Sequence, residues 1–274
     1  MGASKVFVIT GAASGIGRHL SRALAEQGNR VLATDVNEKG LADLGSVRGS
    51  GRLVPHALDV TRSDSWEKAL DAAEKELGAL DVVMNVAGYL KPGFIHEVDD
   101  RAIELHLDVN VKGVVFGTRA AARRMVTRGS GHIVNFGSLA SMAAVPGLCL
   151  YSASKFAVRG LSLAAAAELA PLGVAVTLVM PDAVKTPMLD LQVHYREAAM
   201  TFSGDAPLTV EDVEKVILEK VLPHRPMEIT LPLSRGLLAR AATLAPKAAL
   251  LLAPKLTQKG MKAQDEIRKH GKQE

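Results

Sequence analysis

Cysteine is almost missing from this chain. Cys149 stands alone, which excludes an internal disulfide and fits a reducing compartment. Aromatic residues make up only 4% of the sequence. The basic run Arg119, Arg123, Arg124 and Arg128 therefore lacks the interleaved rings of a nucleic-acid platform, and it reads as a solvated helix face. The eight histidines show no metal-ligand spacing, with His96 and His106 the closest pair, so all read as structural or surface residues and no metal is expected. No basic segment followed by an apolar one opens the sequence. Met1-Gly2-Ala3-Ser4-Lys5 runs straight into a strand pattern, so a cytoplasmic location is expected. Acidic residues are absent from Ile229 through Gln264, while Arg235, Arg240, Lys247, Lys255, Lys259 and Lys262 fall there among Leu and Ala. A net charge of +4 is too small to choose between an anionic cofactor, nucleic acid and a membrane surface.

What is present is the composition of a globular protein: 48% hydrophobic and 23% charged over 274 residues, enough for one large α/β domain or two small ones. Short apolar runs alternate with helical patterns. Strands are expected over Lys5–Thr10, Val31–Asp35, Leu53–Val60, Asp81–Val86, His132–Phe136, Gly173–Met180 and Met227–Leu231. Helices are expected over Gly15–Gln27, Thr61–Leu77, about Asp99 to Arg128, a segment carrying Tyr151 to about Ala170, and Val213–Val221. Such alternation implies an α/β fold: a doubly wound parallel sheet, Rossmann-like, of about seven strands with helices on both faces. The expected organisation is a single domain over residues 1–231, with a lid at about 186–207, and a basic, Leu/Ala-rich C-terminal helical appendage over 232–274.

Two clusters carry chemistry. Thr10-Gly11-Ala12-Ala13-Ser14-Gly15-Ile16-Gly17 lies between the first strand and the first helix, where glycines let backbone N–H groups approach a pyrophosphate. Its spacing is G-x-x-x-G-x-G rather than the common G-x-G-x-x-G. Asp35 ends the second strand, placed to accept ribose hydroxyls and to repel a 2′-phosphate. Arg18 is the only nearby cation and falls on the exposed side of the first helical turn, so NAD is favoured over NADP. The second cluster is Tyr151 and Lys155, thirteen residues after Ser138. On a helix they share one face, and a lysine charge beside a phenol lowers its pKa toward useful acid–base chemistry. Cys149, two residues before Tyr151, reads as a small wall residue rather than a nucleophile.

With TGAASGIG at 10–17, NVAG at 85–88, Ser138 and YSASK at 151–155, the chain resembles the classical short-chain dehydrogenase/reductase family over about residues 5–231. The resemblance implies that Gly11, Ser14, Gly15, Ile16 and Gly17 hold the cofactor phosphates, and that Asp35, Asp59 and Val60 meet the adenosine. It further implies that Asn85, Ala87 and Gly88, the NNAG positions at the end of the fourth strand, bind the cofactor, and that Val184 and Thr186 belong to the segment covering the nicotinamide. Asp182 stands where the family's P-G-x-V-x-T segment has glycine, and Val86 where NNAG has its second Asn. Tyr151 is implied as general acid/base, Ser138 as the group that holds the substrate oxygen, and Lys155 as the residue that tunes Tyr151 and bonds the nicotinamide ribose. Asn110 is implied to hold a water that links Lys155 to solvent. A homodimer or homotetramer is implied as well.

The expected function is NAD-dependent interconversion of a secondary alcohol and a ketone or aldehyde. Met188, Leu189, Leu191, Val193, Tyr195, Met200 and Phe202 in the lid point to a lipophilic small-molecule substrate. The alternative is an NAD-binding regulatory or membrane-docked interaction protein with little catalytic activity; against it, the Tyr–Lys pair is kept. A sugar-nucleotide epimerase would have G-x-x-G-x-x-G and a larger C-terminal domain, and neither is present. Two readings of the tail stay open. Leu237, Ala241, Leu244 and Ala248 repeat at helical spacing beside Arg240 and Lys247, as in an interfacial helix on the inner face of a membrane through 232–263. The same pattern fits a helix packed on the subunit or on a copy, with Gln264–Glu274 a disordered charged end. Pro246 and Pro254 interrupt any straight spanning helix.

Overall fold

The computed structural model describes residues 4–270, with backbone only at His270. Seven parallel strands form one sheet in the order β3-β2-β1-β4-β5-β6-β7. They are β1 (Val6–Thr10), β2 (Arg30–Asp35), β3 (Arg52–Ala57), β4 (Val82–Asn85), β5 (Gly131–Phe136), β6 (Val174–Pro181) and β7 (Glu228–Leu231). The helices are α1 (Gly15–Glu26), α2 (Glu38–Ala42), α3 (Ser63–Leu77), α4 (Asp100–Leu107), α5 (Gly113–Arg128), α6 (Cys149–Leu169), α7 (Pro187–Val193), α8 (Val210–Val216), α9 (Leu222–His224), α10 (Leu233–Leu244) and α11 (Pro246–His270). This is the doubly wound sheet expected from the strand–helix alternation.

Side chains that alternate along each strand divide between two cores. Val6 and Val8 of β1, Val83 of β4 and Ile133 of β5 face Trp66 and Leu70 of α3, Ala120 and Met125 of α5, and Ala165 of α6. Phe7, Ile9, Val82, Met84 and Val134 point to the opposite side, against Leu20 and Leu24 of α1 and Val213 and Ile217 around α8. Strands buried on both faces have to read as continuous apolar runs, which is how they stand in the sequence.

Several boundaries differ from the expected ones. The single helix expected over Asp99–Arg128 is α4 and α5, joined by one π-helical stretch at Asp108–Lys112 that carries Asn110. The lid is helical: Pro187 opens α7, and a 3₁₀ segment follows at Arg196–Ser203. The charged end expected to be disordered from Gln264 is helical through His270, and Gln264 is buried. Its side chain donates to the carbonyls of Gln192 and Tyr195 at 3.0 and 2.9 Å. Residues 271–274 of that segment lie outside the described residues. The arginine face of α5 is also less open than expected. Arg124 is nearly buried against Glu67 at 2.7 Å and Asp71 at 2.5 Å on α3, and Arg119 donates to Ser63 Oγ at 2.7 Å.

The approach of α5 to the sheet depends on Gly117. A Cβ there would fall on Asn85 Oδ1 and 2.6 Å from the Trp66 ring. Gly117→Ala is therefore expected to lower stability by about 1–3 kcal/mol, since a packed core cannot absorb an added methyl group without backbone movement. Chemical unfolding reads this directly; a midpoint and slope unchanged from wild type would show that the contact is not limiting.

Candidate active site

The strand order reverses between β1 and β4, and in open α/β sheets such a reversal opens a crevice at the carboxyl ends of the strands. Thr10, at the end of β1, joins the two sides: its Oγ1 accepts from the Val86 and Ala87 N–H groups, both at 3.0 Å. Gly11 follows at φ 71°, and a Cβ on it would lie 2.9 Å from Ala87 Cα. A Cβ on Gly17 would overlap the Gly11 carbonyl. The first turn of α1 has neither a capping side chain nor an acidic residue. Its free N–H groups and dipole therefore face the crevice unopposed, as an anion requires.

Along the crevice, Asp35 is held open by two backbone donors: Ala13 N–H to Oδ2 at 3.0 Å and Asn37 N–H to Oδ1 at 2.9 Å. Arg18 turns away and donates to the Asp43 carbonyl at 2.7 Å. Asp59 Oδ1 accepts from Thr61 N–H and Oγ1–H at 2.9 and 2.7 Å. Gly11, Ser14, Gly15, Ile16, Gly17, Asp35, Asp59, Val60, Ala87, Gly88, Val184 and Thr186 all line one cavity of about 1000 Å³, together with Ser138, Tyr151 and Lys155. This donor set fits a dinucleotide: backbone N–H groups at the phosphates, a carboxylate at the ribose, and an apolar shelf of Val36, Leu58 and Val60.

Two expected residues are not on that cavity. Asn85 is buried beneath the sheet, where its Nδ2 donates to Asn135 Oδ1 at 2.7 Å, and Asn135 in turn donates to Ser162 Oγ at 2.9 Å. Strand alternation is the reason: Val86, Ala87 and Gly88 turn into the crevice, and Asn85 is the last residue of β4. Asn110 is fully buried. Its Nδ2 donates to the Tyr89 carbonyl at 2.9 Å and to Ser154 Oγ at 3.0 Å, and its Oδ1 accepts from Tyr89 N–H at 2.7 Å. Both amide hydrogens are engaged, so the side chain has none to give a water. It ties the loop after β4 to α6.

Tyr151 and Lys155 sit one turn apart at the start of α6, both toward the cavity. Ser138 opens a one-turn 3₁₀ segment, Leu139–Ser141. Ser138 Oγ accepts from Ala140 N–H at 3.2 Å, while Ser141 Oγ accepts from Ser138 N–H, also at 3.2 Å. The hydroxyl hydrogen of Ser138 is thus left for the cavity, which Tyr151 lines as well. The Lys155 ammonium is almost fully buried, donates to the Phe136 carbonyl at 2.9 Å and lies 5.5 Å from the Tyr151 ring centroid. Enclosure pushes the Tyr151 phenol up to about 12, against a smaller opposing effect of Ser138. Enclosure also brings Lys155 down to about 8. The lowering of Tyr151 by Lys155 expected from their spacing is not what the enclosed site produces: desolvation disfavours both charged forms.

Some cavity residues were not foreseen. The substitution of Asp182 for glycine needs no special backbone, because Arg225 is the only non-glycine residue with positive φ among those described. Asp182 instead pairs with Arg235 of α10 at 2.6 Å. Leu238 of α10, Ala245 between the two helices, and Ala249, Leu250, Leu252 and Leu256 of α11 form the outer wall. Only their apolar, acid-free composition marks them in the sequence; no motif does. His106 and His132 are core residues. His106 Nδ1 is bonded to the Ala102 carbonyl at 2.7 Å, and His132 Nε2 meets Thr177 Oγ1 at 2.8 Å, with burial lowering both pKa values, that of His132 to about 4. His96 is exposed and stacks on Phe94.

The family model described as short chain dehydrogenase matches residues 5–196. The chain therefore belongs to the short-chain dehydrogenase family, oxidoreductases that interconvert alcohols and carbonyl compounds with a nucleotide cofactor. Among its relatives, a 3-alpha-(or 20-beta)-hydroxysteroid dehydrogenase of Mycobacterium bovis is 38% identical over 187 residues, covering 68% of this chain and 71% of the relative. A 2,3-dihydro-2,3-dihydroxybenzoate dehydrogenase of Bacillus subtilis is 35% identical over 189 residues, covering 67% and 71%. Among solved structures, a short chain dehydrogenase/reductase from Burkholderia phymatum in complex with NAD superposes with a TM-score of 0.79 at 26% identity, covering 89% of this chain and 95% of that one.

Proposed function

We propose that this protein is an NAD-dependent oxidoreductase that interconverts a secondary alcohol and a ketone, or an aldehyde, on a lipophilic substrate, with Tyr151 as general acid/base. One observation carries the reading: Ser138 and Tyr151 line the same cavity as the glycine turn and Asp35, together with many apolar side chains.

In reduction, the substrate carbonyl oxygen accepts hydrogen bonds from Ser138 and Tyr151, and Tyr151 passes its proton to that oxygen as negative charge develops. In oxidation the same groups run in reverse, with Tyr151 taking the hydroxyl proton. The nicotinamide, when bound, supplies or accepts the hydride. Lys155 holds its proton weakly on a buried nitrogen beside the phenol, so once neutral it can accept the proton that Tyr151 takes from the substrate. Two coupled groups lose protons in steps that belong to the pair. Asn110 acts by position, fixing α6 against the loop after β4.

NAD rather than NADP follows from charge. A 2′-phosphate bound beside the Asp35 carboxylate would be repelled, and Arg18, the one nearby cation in the sequence, is turned to Asp43. The lipophilic substrate follows from the walls: Leu90, Val145, Leu148, Met188, Leu189 and Met200 close around the Ser138–Tyr151 end. The domain division at about residue 231 and a homodimer or homotetramer belong to the same reading, the latter on family resemblance alone.

Tyr151→Phe should lower kcat with NAD⁺ and a lipophilic secondary alcohol by about 10²–10⁴, the usual worth of a positioned acid–base group, while leaving the NADH dissociation constant within about twofold. Retained turnover in steady-state assays would defeat the mechanism and favour a regulatory NAD-binding protein. Burial brings Lys155 down to about 8; above that pH its neutral amine can take the proton of Tyr151, so alcohol oxidation should rise through about that pH. In Lys155→Met, which lacks the buried amine, the rise should be lost from that region and move to higher pH. A pH–rate profile of kcat/KM checks both, and an unshifted profile in the variant would remove the proton-holding role. Asp35→Ser should narrow the NAD-over-NADP preference in kcat/KM by at least about tenfold, since a like-charge contact is removed. An unchanged ratio would place the discrimination elsewhere.

A further inference from the structure

The family match ends at residue 196, and the chain beyond it builds the mouth of the cavity. The last two helices are held along their length, α10 up to Thr243 beside the tip and α11 at its far end. On α10, Arg235 pairs with Asp182, Arg240 with Glu228 at 2.8 Å, and Thr243 donates to the Met142 carbonyl at 2.5 Å. On α11, Gly260 packs so close to the Ala199 carbonyl that no Cβ fits. Further along, Lys259 pairs with Asp205 at 2.8 Å and Arg268 donates to the Val193 carbonyl at 2.8 Å.

The tip between these clamps is packed on little. Leu244 is 86% exposed and Leu251 83%, and Leu250 and Leu252 are exposed beside them. Ala245, Pro246, Lys247 and Ala248 are exposed too. Four neighbouring exposed leucines on one protrusion exceed the scattered apolar residues of an ordinary surface. Along α11, Lys247, Leu251 and Lys255 follow one another at four-residue spacing and so share a face. Among the described residues, no ion pair is made by Lys247 or Lys255, whereas Arg235, Arg240 and Lys259 all have acidic partners. The stretch from Ile229 to Gln264 contains no acid that could oppose a negative surface.

Leu250 and Leu252 join the tip to the catalytic cavity, because each is both exposed and part of its wall. An apolar path therefore runs from the tip down to Ser138 and Tyr151. We propose that the α10–α11 tip docks on an anionic phospholipid surface, with its leucines in the headgroup–acyl boundary and its free lysines on the headgroups, and that the substrate enters the cavity from the bilayer. Exposed leucines supply apolar insertion and unpaired lysines supply charge complementarity, the two components that hold an interfacial helix on a membrane. No helix among the described residues is long and apolar enough to cross a membrane, so the contact is one of surface docking. The route of substrate entry rests on the catalytic reading above; the docking does not.

Vesicle flotation of the full chain tests this, using phosphatidylcholine vesicles with and without 30% phosphatidylglycerol, at about 0.05 and 0.5 M salt. The expected result is at least about tenfold more bound protein on the anionic vesicles, falling at high salt. Leu244→Glu/Leu251→Glu should lose that binding, and so, independently, should Lys247→Glu/Lys255→Glu. None of these four residues lines the cavity, so turnover of a short water-soluble ketone should stay within about twofold in both variants, which also reports folding. Tyr151→Phe should float like wild type. If it does so while turnover is unaffected, the catalytic reading fails and the docking stands. Equal flotation on both vesicle types, or wild-type flotation of both double variants, overturns the docking. So does a wild-type chain that ignores vesicles but whose light-scattering mass falls in Leu244→Glu/Leu251→Glu, because the tip would then be an interface between copies.

Discussion

The structure depends on how closely the end of β1 approaches the end of β4. Thr10 Oγ1 accepts two N–H groups from the far side of the crevice, Gly11 leaves no room for a side chain against Ala87, and Gly17 leaves none against Gly11. These contacts hold the start of α1 over the strand ends with its N–H groups unclaimed. Without them the helix dipole would point at no defined place, and Asp35 and Ala87 would not lie on one crevice. Two glycines and one threonine thus set the distance from which the rest of the site is measured.

Burial then decides the character of the catalytic pair. Lys155 is kept from water with one backbone carbonyl as its hydrogen-bond partner, an arrangement that disfavours the ammonium. Tyr151 is pushed the opposite way by the same enclosure. A phenol and an amine whose charged forms are both disfavoured can share a proton at modest cost, which neither could do in water. Ser141 matters at one remove. By accepting the Ser138 N–H it fixes the turn that presents the Ser138 hydroxyl.

The sheet was legible because parallel strands buried on both faces must be apolar throughout, and the glycine turns between them punctuate the pattern. The site was legible where residues are consecutive, as in TGAASGIG and YSASK. Asn85 was misplaced because the alternation of strand residues, not the motif, decides which side a side chain takes. Asn110 lies in a π-helical stretch that helical spacing cannot reveal, and that stretch determines what its amide meets. Asp182 looked like a disturbance of the nicotinamide segment. Its partner Arg235 is 53 residues away in sequence, and no local reading joins the two. The outer wall escaped for the same reason: Leu250 and Leu252 become cavity residues only through the docking of α11 on Ala199, Gln192 and Tyr195.

The distribution of polarity in the cavity bears on selectivity. Hydroxyls and amide groups gather at its inner end, while Leu, Val, Met and Ala form the walls from Leu148 out to Leu256. Contacts with such walls are made equally by the bound substrate and the transition state, so they favour binding without favouring chemistry. An apolar pocket also separates neighbouring homologues weakly, by roughly 10–200-fold per methylene group. Chemical discrimination therefore has to come from the two hydroxyls at the inner end, which require an oxygen within reach of both Ser138 and Tyr151. The walls then select for bulk and lipophilicity, and the hydroxyls for the position of one oxygen on the substrate. On the proposed reading, a site divided in this way would accept a class of lipophilic alcohols and ketones, and within that class it would fix which carbon is oxidised or reduced.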